Sequence, residues 1–449
     1  MISEKFVKLK TLNNISIMIF YFKGVQCMTY NRSEISDSIG FSEIIDCKFK
    51  TNLLKINFIT ELTADTAAEN AVAAGILATS NSNFKTFTEL NAKLAALYGS
   101  AIYAEAKKRG DVQILSLCAS WLDNRYALEN EDITAEMLEL FSDCIFSPNA
   151  KNDAFDTDSF NIRKKDVLDK IDSEINNKRS YAISQASKIA YSGEPAEFSC
   201  YGEKETAMRV TEKSSFEAYK KLLANARIEI LFVTAQHNAD VAEKLSGSFS
   251  SLVRNEINKC ALTSQSAIKD EIAEVTQQLD VNQSKMVMVF KSLSDDYTAL
   301  KLLSTVYGET PFSKLFANVR EKLSLCYYCA SNYVKSKNTM FVDCGVEKDN
   351  IDKARTEIIN QLDEIKNGNF SDEDIENTLM SIQNSLSAIG DVPSSYTGWY
   401  FGRFCEGDCR TPDEVFSDYK AVTRERIMNA AASMKLDTVY VMAQKEVQD

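Results

Sequence analysis

The chain has 449 residues, 45% hydrophobic and 26% charged, with only 15 Gly and 5 Pro. That is enough apolar material for two or more sizeable cores, and it excludes low-complexity and collagen-like classes. A net charge of −13 repels phosphate backbones and anionic lipid headgroups, so neither a nucleic-acid nor a membrane-surface role is expected.

The longest N-terminal apolar run, Ile15 to Phe22, is interrupted by Ser16 and far too short to span a bilayer. Lysines precede it as in a signal peptide, but it leads into Phe22-Lys23-Gly24 rather than a small-residue cleavage site. Residues 1–47 therefore read as an N-terminal extension, with Met28 as an alternative start. Leu54, Ile56 and Phe58 alternate with polar residues and predict a strand, followed by a helix over Ala67 to Ala78. Thr86-Phe87-Thr88-Glu89 has capping-box spacing and opens a helix carrying Leu90, Leu94 and Leu97, which Gly99 stops. A strand, the basic turn Lys107-Lys108-Arg109-Gly110 and a strand from Val112 to Cys118 come next. Helices are expected over Ile162 to Ile189 and Ser214 to Leu223, then a strand over Ile228 to Val233.

The order then repeats. Val287 to Phe290 reads as a strand, Phe312 to Leu323 as a helix, and Tyr327 to Val334 as a strand. Lys335-Ser336-Lys337-Asn338 forms a second basic turn before a strand over Met340 to Val346. Phe87 maps to Phe312 and Cys118 to Cys344, separations of 225 and 226 residues, close to half the chain. Ile351, Ala354, Ile358, Leu362 and Ile365 share one helical face, and Ser371 can cap a further helix bearing Ile375, Leu379, Ile382 and Leu386. The predicted fold is α+β: two homologous halves, each an antiparallel-dominated sheet with helices packed on one face. The expected domains are 48–238 and 285–449, joined by a polar linker over 239–284.

Chemistry is constrained most by a shortage. His237 is the only histidine. A zinc peptidase site of the zincin type needs two imidazoles and a carboxylate, so this chain cannot build one alone. His237 follows a predicted strand and reads as a surface or turn histidine rather than a general base. The eleven cysteines form an odd set and read as reduced cytosolic thiols, which points to a cytoplasmic protein. Cys326 with Cys329, and Cys405 with Cys409, could together supply four thiolates to a structural zinc. Positions three apart on a strand face opposite sides, however, and the second pair has three intervening residues, so buried thiols are the preferred reading. No P-loop, GxGxxG or GxSxG pattern stands at a strand-to-helix turn.

The segment Leu315-Phe316-Ala317-Asn318-Val319-Arg320-Glu321-Lys322-Leu323-Ser324-Leu325-Cys326-Tyr327 resembles the C-terminal-half signature of insulinase/pitrilysin-type zinc peptidases. Family members carry leucine-phenylalanine, then arginine-glutamate-lysine and a Gly-Leu-Ala-Tyr stretch, with arginine and tyrosine seven residues apart. Here that pair is Arg320 and Tyr327, and the glycine is replaced by Ser324. The first half resembles the family from about Lys48 to His237. Its catalytic members carry His-x-x-Glu-His on the first long helix, and laying that pattern on this helix places Ala71, Ala74 and Gly75 at the ligand and base positions. A later family stretch with a glutamate ligand resembles Val167-Leu168-Asp169-Lys170-Ile171, with Lys170 in place of the glutamate. The resemblance thus implies an inactive homologue that holds no zinc. Leu97-Tyr98-Gly99-Ser100 followed by a basic turn fits the inactive branch found in Gram-positive bacteria.

In the family's split systems one subunit carries the zinc and a related one supplies the arginine–tyrosine pair. The resemblance implies that role here: a non-catalytic subunit of a heterodimer, with a zinc-bearing homologous partner and an extended polypeptide substrate. Tyr327 would donate to the substrate carbonyl or developing oxyanion, and Arg320 would bind the substrate backbone. The plainer alternative makes Arg320 a helix-end cation and Tyr327 a core strand residue. The rival functions are a stand-alone peptide-binding or scaffold protein, and an enzyme using acidic residues or a Cys-based metal site.

Overall fold

A computed structural model describes residues 28–445, together with the short strands Ser16–Met18, Tyr21–Phe22 and Val25–Gln26. Segment 1–15, on which the signal-peptide reading rests, lies outside the described residues, and with it the choice of Met1 or Met28 as start.

Period-two apolar patterning builds two sheets. The first contains β1 (Thr29–Ser36), β2 (Ile39–Ile45), β3 (Thr51–Glu61), β4 (Ala101–Arg109), β5 (Val112–Leu122) and β6 (Arg227–Thr234), and Ser16–Met18 pairs with β1 at one edge. The second contains β7 (Ala273–Leu279), β8 (Ser284–Lys291), β9 (Cys326–Val334), β10 (Thr339–Val346) and β11 (Lys435–Gln444). From β2 the first sheet runs β2-β6-β3-β5-β4, and the second runs β7-β11-β8-β10-β9. In both, the first pair is parallel and the rest antiparallel. This shared order is the predicted duplication, and the outermost strands β4 and β9 start 225 residues apart.

Helices α1 (Ala67–Leu77), α2 (Phe87–Ala96), α3 (Ile133–Phe146), α4 (Thr157–Ser173), α5 (Lys178–Ala190), α6 (Glu212–Asn225) and α7 (Ala239–Ser250) belong to the first half. The second half carries α8 (Tyr297–Ser304), α9 (Ile351–Lys366), α10 (Asp372–Ser387), α11 (Pro393–Cys405), α12 (Pro412–Lys420) and α13 (Arg424–Ser433). Leu54, Ile56 and Phe58 of β3 meet α1, α3, α6 and α7 in one core. Met286, Met288 and Phe290 of β8 meet α8, α9 and α13 in the other. The helices of each half thus cover one face of its own sheet, as the patterning predicts.

The opposite faces are covered reciprocally. Val287 and Val289 of β8, with Phe341 and Tyr440, pack on Ala182, Ala186 and Ala190 of α5. Leu53, Leu231 and Val233 of the first sheet pack on Tyr396 and Tyr400 of α11. Each half lends a helix to the other, and each fully buried large apolar side chain at these contacts stabilises by about 1.5–3 kcal/mol. Buried ions reinforce the junction. Lys337, only 2% exposed, bridges Asp111 at 2.9 Å and also Glu194. Lys291, 1% exposed, pairs with Asp437 at 3.2 Å and donates to the carbonyls of Ala190 and Ala267 at 2.7 Å. Burial alone would raise the Asp111 carboxyl, but hydrogen bonds from Ser264 and Lys337 overcome it and hold that group below its usual range.

Several boundaries differ from the sequence expectation. Residues 29–45, read as an extension, form β1 and β2 inside the first sheet. The polar linker over 239–284 is mostly structured: α7 buries Val241, Leu245 and Phe249 in the first core, and β7 joins the second sheet. The Ile162–Ile189 helix is two helices, because Asn177 caps α5 by accepting from the Ser180 amide at 3.1 Å. Lys107, Lys108 and Arg109 stay in β4, and the chain turns at Gly110-Asp111. Among the described residues no helix is long and apolar enough to cross a membrane.

Candidate functional site

The alanine-rich α1 lies against α4. Ala71 and Ala74 are buried, and a Cβ built on Gly75 would come within 3.1 Å of the Arg163 Cδ. Arg163 is held there from several sides. Its Nε donates to the Thr79 hydroxyl at 2.6 Å, it pairs with Asp166 at 2.8 Å, and its guanidinium sits 5.8 Å from the Phe87 ring centre. Two turns along α4, the Lys170 ammonium lies 4.7 Å from the Tyr201 ring centre and donates to its hydroxyl at 3.3 Å. Next to Tyr201, Gly202 packs against Ala68 of α1.

Alanine and glycine side chains carry no donor atom, and a charged ammonium offers no lone pair, so these four positions do not fit a zinc ion. Among the described residues no cluster of three His, Cys, Asp or Glu side chains is arranged to hold a metal. Arg163 was not visible as a site residue in the sequence. Its position seven residues before Lys170, on the same face of α4, was the available signal.

The second-half segment has a different character. Leu315–Lys322 is wound as a π-helix: the Leu323 amide reaches back to the Asn318 carbonyl at 3.1 Å. Ser324 then takes a left-handed conformation, φ +50°. This is the position where the resemblance expects glycine, so the turn is kept at a cost of about 1–2 kcal/mol for a residue with a Cβ. The register of β9 on β10 slips next: Cys326 pairs with Val346 and Tyr328 with Gly345, leaving Tyr327 as the extra residue of a β-bulge. Bulges re-aim side chains. Tyr327 is 66% exposed, which excludes the core-residue reading, whereas Cys329 and Tyr333 on the same strand are buried. The Arg320 side chain is 40% exposed, with its guanidinium 4.5 Å from the Phe316 ring centre. Phe312 and Leu323 are exposed on the same segment.

The remaining candidates are structural. His237 stands at the turn after β6, largely exposed, with Nδ1 2.7 Å from the Glu43 carboxylate, while Asn238 caps α7. Cys405 is buried and Cys409 exposed, and no four-thiol group forms among the described residues. Cys326 and Cys329, expected on opposite faces of a regular strand, lie on the same face because the bulge intervenes.

Residues 209–382 match the family described as "Peptidase M16 inactive domain". Over 402 residues the chain is 24% identical to the "Probable inactive metalloprotease YmfF" of Bacillus subtilis (strain 168), covering 88% of this chain and 93% of that protein. The chain is thus similar to inactive M16 peptidases over residues 209–382, and to a probable inactive metalloprotease over most of its length. M16 is the insulinase/pitrilysin type that its C-terminal-half signature resembles. The fold is seen in solved structures too. A conserved protein from Enterococcus faecalis V583 superposes with a TM-score of 0.87 at 22% identity, covering 94% of this chain and all of that one. A peptidase M16 inactive domain from Pseudomonas fluorescens gives 0.74 at 14% identity, covering 94% and 99%. Both structures share the fold over nearly the whole chain.

Proposed function

We propose that this M16 homologue is the non-catalytic subunit of a heterodimeric peptidase, completing the substrate site of a zinc-bearing homologous partner. One observation carries the reading: Tyr327 is lifted out of its sheet by a bulge and exposed, with the Arg320 side chain partly exposed on the preceding π-turn, while Ala71, Ala74, Gly75 and Lys170 offer no metal donor. A phenol raised on a rigid strand is a directed hydrogen-bond donor for a peptide carbonyl, and a guanidinium engages backbone carbonyls or a carboxylate. The partner's zinc supplies the cleavage chemistry, and this chain binds and orients the polypeptide. Among the described residues each sheet ends in a strand with an open side, β4 or β9, to which an extended substrate can add as a further strand. Those open edges also support a second reading, a stand-alone peptide-binding protein.

The test is co-expression with a zinc-bearing M16 homologue encoded in the same genome, followed by assay of peptide cleavage for each chain alone and for the mixture. Cleavage only in the mixture is expected, falling about 10²-fold or more on Tyr327→Phe while assembly persists. Arg320→Ala should raise KM more than it lowers kcat, as loss of a binding contact does. Peptide binding without any complex would instead select the stand-alone reading.

A further inference from the structure

The Tyr327 bulge has a second consequence, for the thiols on either side of it. In a regular strand Cys326 and Cys329 would point to opposite faces. Because Tyr327 is the extra residue, both thiols turn toward the second core. Across the ladder Cys329 lies directly opposite Cys344, and both are buried in that same core. Three of the chain's eleven cysteines therefore meet at one point. Only Cys326 is half-exposed to solvent there.

We infer that Cys326 and Cys329 form a redox-active dithiol, a modification site in which Cys326 is the attacking sulfur, Cys329 closes the disulfide, and Cys344 stays reduced. The oxidant class is a small disulfide such as oxidised glutathione. The Cys326 thiolate attacks one sulfur of the oxidant, forming a mixed disulfide and releasing one thiolate. Cys329 then loses its proton and displaces the second thiolate from Cys326, closing the protein disulfide. The two protein thiols lose two electrons and two protons in total, and the small disulfide becomes two thiols.

The local electrostatics agree with this division of roles. The hydrogen bond shared with Cys329 lowers the Cys326 thiol below its ordinary range, and the nearby Arg320 guanidinium adds to the effect. Cys329 is pushed well up by its hydrogen-bonding thiol neighbours and by burial, which suits the resolving rather than the attacking sulfur. Cys344 is fully buried and lacks access to solvent. Closure between Cys326 and Cys329 spans Tyr327 and fixes the bulge. The inference rests on the placement of the thiols and does not require the role proposed for Tyr327.

The test equilibrates the full chain in oxidised/reduced glutathione mixtures, quenches with an alkylating reagent and reads each cysteine by peptide mass spectrometry. The 326–329 peptide is expected to become two hydrogens lighter at ratios where buried Cys118 and Cys144 remain alkylatable after unfolding. Cys326→Ser should abolish closure and Cys344→Ser should leave it intact. Because a variant can misfold, the wild-type chain supplies an independent readout: native-state alkylation of Cys326 at least ten times faster than of Cys344. The inference is overturned if Cys326 and Cys329 stay reduced at every ratio, or if Cys326 accumulates only as a glutathione adduct. A bond joining Cys329 to Cys344 would overturn it equally.

Discussion

The two halves share one strand order, yet they treat their functional positions in opposite ways. On α1 the expected ligand positions are alanines and a glycine, and the space is filled: Arg163 packs over Gly75 and hydrogen-bonds Thr79 and Asp166. Around Arg320 and Tyr327 the chain does the reverse. It keeps a π-turn, a left-handed serine, a bulge and an exposed tyrosine, none of which a stability optimum requires. Strain of that kind is what the proposed recognition role accounts for, whereas a filled, donor-free helix contact serves packing. One duplicated fold can thus fill a helix contact in one half and present an exposed tyrosine on a bulge in the other while both sheets keep the same strand order.

The largest expected effect tests whether the halves stand or fall together. Asp437→Ala leaves the Lys291 ammonium buried without its carboxylate and should cost about 3–5 kcal/mol. Because α5 and α11 are exchanged between the halves, denaturant unfolding followed at Trp121 and at Trp399 should shift together. Separate transitions would show that the exchange does not couple the halves.

Gly75→His probes the filled site. The new side chain must displace Arg163, and a loss of about 1–3 kcal/mol is expected, largely recovered in the Gly75→His/Arg163→Ala double variant. An additive double-variant result would mean that Arg163 does not occupy that space. Ser324→Gly probes the strained half. Relief of the left-handed conformation should stabilise by about 0.5–1 kcal/mol, seen as a higher Tm, and a destabilised variant would contradict the strain assigned there.

The smallest effect concerns acid. Asp111 and Asp437 are held below the usual carboxylate range, and hydrogen bonds from Arg410 outweigh burial to bring Asp408 down to about 2. A carboxyl lowered by folding stabilises fully above its unfolded pKa of about 3.9 and loses that contribution as pH falls through the folded value. Stability should therefore be flat from neutrality to about pH 4 and decline toward pH 2, with Asp408→Asn making the decline shallower. Stability rising with acidity in that window would reverse the assigned signs.

Much of the fold was legible because period-two and helical patterning are local. The capping box at Thr86, the Ser371 cap and the 225-residue repeat all appear in the structure as read. Misreadings came where local pattern lost to context. Polar strand residues such as Asn31, Arg32 and Ser33 hid β1, since it lies near the sheet margin. Asn177 ended a helix that apolar spacing alone would continue. At the site, Arg320 and Tyr327 were legible only through the family signature. The bulge that presents Tyr327 and gathers Cys326 with Cys329 arises from register between β9 and β10, a non-local property that no single segment encodes.

In the proposed complex this chain contributes substrate contacts but no metal. This is tested most directly by elemental analysis of the purified chain, of a zinc-bearing M16 homologue from the same genome, and of their complex, with peptide cleavage measured on the same samples. Zinc is expected in the homologue and in the complex, none bound by this chain, and cleavage that needs both. Stoichiometric zinc and zinc-dependent cleavage in this chain alone would contradict it.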